Sequence, residues 1–283
     1  MSDTGVVLVT GAGSGFGRLT VEALVRRGHT VFAGMREPAG RNRAAAAALT
    51  GARVIELDVT DQDSATRAVE TVIGEAGRLD VVINNAGQVF AGPVEAYTAE
   101  EAMRQLDVNV LGALRVNRAA IPHLRRQGHG LLIQVGSTAD RVTVPFTGLY
   151  GASKAALASL TEAWRYDLAG TGVESVSVSA APHDTELGAK GTMPADAARL
   201  EPYLPALGAF MTDLTARQQE QDGDPQPVAD ALVRLVEAPA GTRARRTVVG
   251  PAVQVAALDE LDRVATETAR IVGADMGIAA HLR

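Results

Sequence analysis

Short apolar runs of strand length alternate with segments of helical spacing along the first half of the chain. The runs at 6–10, 30–33, 54–57, 81–83 and 131–135 are rich in Val, Ile and Leu and lack a polar alternation. Strands buried on both faces read this way, because helices cover each side of a parallel sheet. Between the runs, 16–27, 61–76 and 99–126 place apolar residues three and four apart, the period of a helix with one buried face. Strand, helix, strand, repeated, predicts an α/β fold: a three-layer, doubly wound, Rossmann-like parallel sheet.

The pattern continues with a helix over 151–168 and a strand over 173–180, then changes after Pro182. Residues 183–227 are rich in Pro, Gly and Ala, with short helical patches at 195–204 and 206–221. An insertion of that length is expected to be a lid or binding loop. Leu187, Met193, Leu200, Tyr203, Leu204, Phe210 and Met211 would give it an apolar cover. A helix at 228–237, a strand at 247–249 and an amphipathic helix at 258–271 follow. The 283 residues are expected to form a single domain, since one α/β core can grow to this size.

Composition acts by exclusion. With 46% hydrophobic and 21% charged residues the chain has the balance of a packed globular protein. A net charge of −6 would repel a nucleic-acid backbone, and Arg243, Arg245 and Arg246 read as a solvated surface cluster too short to reverse that. The longest apolar stretch near the start, 6–9, is too short to span or anchor in a membrane. Zero cysteines exclude disulfides and thiolate metal sites, so no metal is expected and the cytoplasm is the expected location.

The first run leads into Thr10-Gly11-Ala12-Gly13-Ser14-Gly15-Phe16-Gly17 and then a helix. Glycines there let backbone approach a pyrophosphate, and a helix N-terminus offers unpaired N–H groups to it. The plainer reading is a tight strand-to-helix turn. A dinucleotide site also needs a group near the end of the second strand to read the adenosine ribose. That strand ends in Arg36, with Arg41 and Arg43 behind it and Glu37 one step late. Arginine suits a 2′-phosphate, so NADP(H) is expected over NAD(H).

Asp58 closes the third strand and Asn84-Asn85-Ala86-Gly87 follows the fourth. Asn109, Ser137, Tyr150 and Lys154 come after, with Ser137 thirteen residues before Tyr150. In these motifs, between about residues 5 and 185, the chain resembles the short-chain dehydrogenase/reductase family. The resemblance implies a nicotinamide cofactor across the C-terminal edge of the sheet. It would be lined by the glycine loop from Thr10 to Gly17, Arg36, Asp58, Val59, Asn85, Ala86, Gly87, Tyr150, Lys154, Pro182 and Thr185. It implies a catalytic set of Asn109, Ser137, Tyr150 and Lys154, a carbonyl or alcohol substrate, and a homodimer or homotetramer. Asn109 would bend its helix and hold a proton-relaying water at Lys154; the plainer reading is a buried asparagine that satisfies backbone groups.

The residues carry a chemical argument of their own. Tyr150 and Lys154 are four apart at the start of a helical segment, so they share a face. A cation ~4 Å from a phenol contributes ~4 kcal/mol at an effective dielectric of 20, enough to bring a pKa of ~10 to roughly 7. Ser137 is placed to donate to a developing alkoxide. Lysine occurs only at 154 and 190, so Lys154 is not one of many surface cations. A non-redox lyase on a related scaffold would carry arginine for this lysine and lack the glycine loop. A non-catalytic NADP(H) sensor or scaffold would lack the tyrosine.

Two positions depart from the family pattern. Pro182-His183-Asp184-Thr185 stands where Pro-Gly is usual, and Gly136 precedes Ser137. His183 would touch substrate or cofactor, or be a loop histidine without a role, and Gly136 would widen the substrate corner. Thr138, Asp140, Phe146, Leu149 and His183 are the candidate substrate contacts, for a medium-sized lipophilic or aromatic ketone or aldehyde.

Overall fold

A computed structural model describes residues 4–183, 185–189, 191–220 and 223–281; Asp184 and Lys190 lie outside them. Seven parallel strands form one sheet in the order β3-β2-β1-β4-β5-β6-β7. They are β1 Val6–Thr10, β2 Thr30–Met35, β3 Arg53–Glu56, β4 Val81–Asn84, β5 Gly130–Ser137, β6 Val173–Ala180 and β7 Arg246–Val249. Strand order reverses between β1 and β4, and in such sheets the crevice beyond the carboxyl ends at that point takes the ligand.

The apolar runs lack alternation because both faces are covered. Val7, Val9, Val31, Ala33, Val81 and Ile83 pack on one side with Leu24 of α1 (Gly15–Arg26) and Leu232. Val6, Leu8, Phe32, Val82 and Leu132 pack on the other with Val69, Val116, Leu124 and Leu157. Neighbouring strand residues point to opposite faces. Every residue of β1 is therefore buried.

The remaining helices follow in order. They are α2 Arg43–Ala48, α3 Gln62–Ala76, α4 Ala99–Leu106, α5 Gly112–Gln127, α6 Gly148–Asp167, α7 Glu186–Ala189, α8 Ala197–Leu200, α9 Leu204–Glu220, α10 Gln226–Glu237 and α11 Ala252–Asp275. The long helix expected over 99–126 is divided: a π turn, Asp107–Leu111, separates α4 from α5. The last helix is longer than its apolar pattern suggested. Its exposed residues Val253, Ile271 and Val272 fall outside a single buried stripe.

No helix among the described residues is long and apolar enough to cross a membrane. No group of three or more His, Asp or Glu among them is arranged to hold a metal ion.

Candidate active site

The glycine loop forms because two of its residues take backbone angles that disfavour a side chain. Gly11 (φ +63°) and Gly15 (φ +51°) turn the chain sharply from β1 into α1. Gly17 is required for space: a Cβ there would lie 2.4 Å from Asn85 Nδ2 and 2.5 Å from the Gly11 carbonyl. Asn85 Nδ2 donates to the carbonyls of Thr10 (3.0 Å) and Gly11 (3.1 Å). The backbone N–H groups of Asn85 and Ala86 donate to Thr10 Oγ1 at 3.0 and 2.9 Å. Thr10 and Asn85 thus fasten the turn to the end of β4.

Ser14 is the N-cap of α1, makes no side-chain capping bond, and the first turn of the helix carries no acid. Helix α3 is closed instead by Asp61, and α4 by a capping box of Thr98 and Glu101. The uncapped amides of α1, with a glycine turn before them, fit a pyrophosphate anion. Gly13 and Phe16 are half-buried in the same loop.

At the end of β2, Arg36 is exposed. Glu37 has a φ of +48°, its N–H donates to Glu56 Oε1 (3.0 Å), and its carboxylate pairs with Arg41 at 3.3 Å. Glu56 was not among the expected residues. It reaches this corner because Met35 and Glu56 are in register at the ends of β2 and β3. Asp58 Oδ1 accepts from the N–H (2.9 Å) and hydroxyl (2.8 Å) of Thr60, and Val59 beside it is buried.

Ser137 ends β5 and is buried. Its hydroxyl accepts from Ala139 N–H at 3.2 Å, and its influence on the phenol of Tyr150, in the first turn of α6, favours the phenolate. Burial and the charge of Asp140 act against this, and the phenol is held above its ordinary value. Lys154 Nζ lies 5.7 Å from the ring centroid and donates to the Val135 carbonyl at 2.8 Å. Burial pushes Lys154 down to about 8. The phenol therefore does not reach the expected value near 7.

Asn109 lies in the π turn, buried, so the helix is bent there. Its Oδ1 accepts from Gln88 N–H (2.9 Å), and its Nδ2 donates to the Gln88 carbonyl (2.9 Å) and to Ser153 Oγ (3.0 Å). Ser153 in turn donates to the Tyr150 carbonyl at 2.7 Å. The amide satisfies backbone groups and clamps the bend to the first turns of α6. A Cβ on the exposed Gly87 would stand 3.5 Å from Asn109 Oδ1 and 3.8 Å from Lys154 Nζ, so these two groups face one small gap.

His183 stands beside the glycine loop. Its ring meets that of Phe16 edge-on at 5.6 Å, and its Nδ1 is 2.6 Å from the Ala181 carbonyl. Pro182 is exposed. Thr185 lies 3.6 Å from where a Gly15 Cβ would be, closing the same corner.

Asp140 is not a substrate contact. Its side chain is 1% exposed and both its oxygens accept from Arg246 Nη1 at 2.9 Å. Nor does Gly136 widen the substrate corner: a Cβ there would lie 3.4 Å from Ser179 Oγ and 3.6 Å from Asp140 Oδ2, so these groups occupy the space. The arginine cluster is likewise not solvated as expected. Arg243 pairs with Glu174 and donates to the Leu235 carbonyl (2.8 Å), and only Arg245 is exposed.

Thr138 and Leu149 flank Ser137 and Tyr150, half-buried. Phe146 has a φ of +59°, its carbonyl accepts from Gly92 N–H (2.7 Å), and its ring lies 5.7 Å from that of Phe210 on α9. The segment carrying α7–α9 is pinned to the loop after β4. Thr192 bridges Phe90, Tyr97 donates to the Thr192 carbonyl (2.9 Å), and Tyr203 donates to Glu95 (3.0 Å). Of the apolar residues expected in a cover, Met193, Leu204 and Met211 are exposed.

A parallel sheet reversed between β1 and β4, with a glycine turn on one side and a buried serine and lysine beside a half-buried tyrosine on the other, defines an oxidoreductase of the dinucleotide-fold class. The sequence model of the short chain dehydrogenase family matches residues 5–194, and the chain belongs to that family.

A 3-ketodihydrosphingosine reductase of Bacteroides thetaiotaomicron is 36% identical over 158 residues, 56% of this chain and 56% of that protein. The chain thus aligns with little more than half the length of that relative. A short-chain dehydrogenase from Streptomyces avermitilis has a similar structure, with a TM-score of 0.73 and 29% identity over 97% of this chain and 99% of its own. A 3-ketoacyl-(acyl-carrier-protein) reductase from Brucella melitensis, solved with NADH, has a TM-score of 0.73 and 25% identity over 88% of this chain and 98% of its own.

Proposed function

We propose that this protein is an NADP(H)-preferring reductase that interconverts a carbonyl and an alcohol on a medium-sized lipophilic or aromatic substrate. The observation that carries the reading is the juxtaposition of buried Ser137 and Lys154 with the half-buried Tyr150, on the far side of the β1/β4 crevice from the uncapped glycine turn. The relatives named as reductases, one of them solved with NADH, support it.

In this reading the glycine loop and the N-terminus of α1 hold the pyrophosphate, Asp58, Val59 and Ala86 line the adenosine side, and Lys154 holds the nicotinamide ribose. The dinucleotide supplies or accepts the hydride. Ser137 orients the carbonyl oxygen and Tyr150 hands it a proton. A raised phenol stays protonated at neutral pH, which favours the reducing direction. Asn109 keeps the helix bend open beside Lys154, where a water can return the proton. Thr138, Leu149, Phe146 and Phe210 supply the apolar wall, with α7–α9 as the lid.

Reduction of a panel of aromatic and aliphatic ketones, followed at the nicotinamide absorbance band, tests the reading. Turnover of small polar sugars alone would contradict the substrate class, and failure to bind either dinucleotide would contradict the function.

Arg36 supports the NADP(H) preference: it is exposed at the strand tip, while Glu37 is paired with Arg41 and Glu56 accepts a backbone N–H. A charge-assisted bond to a phosphate contributes ~1.5–3 kcal/mol, so Arg36→Glu should weaken NADPH binding by roughly 10–100-fold. Titration calorimetry with both dinucleotides checks this. NADH binding should change little, and wild-type affinity for NADPH no tighter than for NADH would defeat the preference.

A further inference from the structure

Behind the Ser137–Tyr150–Lys154 cluster lies a buried ion pair that the proposed chemistry does not use. Asp140 ends the short 3₁₀ turn that begins directly after Ser137. Arg246 opens β7, its side chain 10% exposed, and besides Asp140 it donates to Ser179 Oγ of β6 at 3.2 Å. Ser179 donates to Asp140 Oδ2 at 3.3 Å. On its other side Arg246 Nε pairs with Asp262 of α11 at 3.2 Å, and Asp262 accepts from Arg141 at 3.0 Å. Two carboxylates and two guanidiniums from the turn and the residue after it, β7 and α11 thus form one chain of zero net charge.

A buried ion pair is a poor device for stability alone, because removing two charges from water costs as much as their attraction returns. Its place in the fold suggests another use. Gly136, where a side chain would meet Ser179 and Asp140, leaves room for the carboxylate directly beneath the strand end that carries Ser137. From there the charge of Asp140 reaches both Tyr150 and Lys154.

We propose that Asp140 is a positioning residue: its carboxylate, paired with Arg246, sets the electrostatic field at Ser137, Tyr150 and Lys154 and links proton transfer there to the docking of α11 through Asp262. The link to turnover rests on Tyr150 acting as the proton donor proposed above; the effect on the phenol itself does not.

The sign follows from the charges that face the cluster. Lys154 lies on the same helix as Tyr150, Asp140 and Arg141 come from the turn after β5, Arg246 from β7 and Asp262 from α11. A carboxylate beside a phenol disfavours the phenolate, and beside an ammonium it favours the charged form. Burial raises Asp140 itself above its ordinary value, with Arg246 and Arg141 opposing. Loss of the carboxylate lets both Tyr150 and Lys154 release their protons at lower pH.

In Asp140→Asn the tyrosinate absorbance belonging to Tyr150, isolated by subtracting the same titration of the corresponding Tyr150→Phe protein, should have its midpoint about one pH unit below wild type. The alkaline limb of kcat/KM for carbonyl reduction should move down with it, lowering the rate on that limb about tenfold at fixed pH. A merely structural role would lower the rate without moving either midpoint.

If Asp140→Asn does not fold, the double variant Asp140→Asn with Arg246→Gln removes both charges and leaves neither partner uncompensated. Its midpoint should fall in the same direction. Midpoints equal to wild type in the variant that folds overturn the inference. A lowered midpoint in a protein that reduces no ketone sustains it and overturns the functional reading instead.

Discussion

Replacing Tyr150 with Phe is expected to reduce kcat for carbonyl reduction by about 10²–10⁴-fold, the contribution of a positioned acid or base. Dinucleotide affinity should remain within about twofold of wild type, because the uncapped amides of α1 and the glycine turn are held by bonds to Asn85 and Ala86 that the phenol takes no part in. The substitution removes one hydroxyl and leaves the ring and its contact with Lys154 in place. Steady-state rates at the nicotinamide band, with dinucleotide binding measured by calorimetry, separate the two effects. Activity retained in Tyr150→Phe would refute the role of the phenol.

The second large effect is expected at Gly17. A Cβ there would meet Asn85 Nδ2 and the Gly11 carbonyl, both well inside contact distance, and the carbonyl belongs to backbone that cannot turn away. Relief requires breaking the two bonds that Asn85 makes to Thr10 and Gly11 and opening the turn. Overpacking and the lost bonds together should cost about 2–4 kcal/mol for Gly17→Ala, a fall in Tm of roughly 4–12 °C, and affinity for both dinucleotides should fall with it.

Gly13→Ala is the control. Its Cβ would meet Ala45 Cβ at 3.8 Å and Met35 Sδ at 3.9 Å, ordinary contacts, so Tm should stay within about 2 °C of wild type. Equal Tm values for wild type and Gly17→Ala would mean that the turn is not held as described.

Much of the architecture was legible along the chain. β1 and β6 run over 6–10 and 173–180 as the apolar pattern expects, and the other strands differ from it by a few residues at their ends. The positions are also as expected: Tyr150 and Lys154 rise from one helix, Ser137 ends a strand of the sheet, and Asn109 lies in a π turn. What was misread involved charge. Asp140 read as a substrate contact and Arg246 as a surface cation because each is polar and close to a loop; they are partners 106 residues apart.

The Tyr150 estimate failed for a related reason. Four-residue spacing puts two side chains on one face, but burial raises the phenol and lowers the ammonium, and the spacing does not show that burial. His183 could not be assigned from its neighbours in sequence either, since its ring partner is Phe16 of the first helix. Glu56 went unnoticed at the corner of Arg36 because only strand register brings it there.

The sequence by itself determined the sheet, the glycine turn and the order of the Asn-Ser-Tyr-Lys set, because burial periodicity and motif spacing are properties of neighbouring residues. The tertiary structure alone decided which charges are buried in pairs, where Lys154 donates, and how α11 is tied to the turn beneath Ser137. Those outcomes depend on strand order and on desolvation: a carboxylate taken out of water must find its cation wherever the fold has placed one.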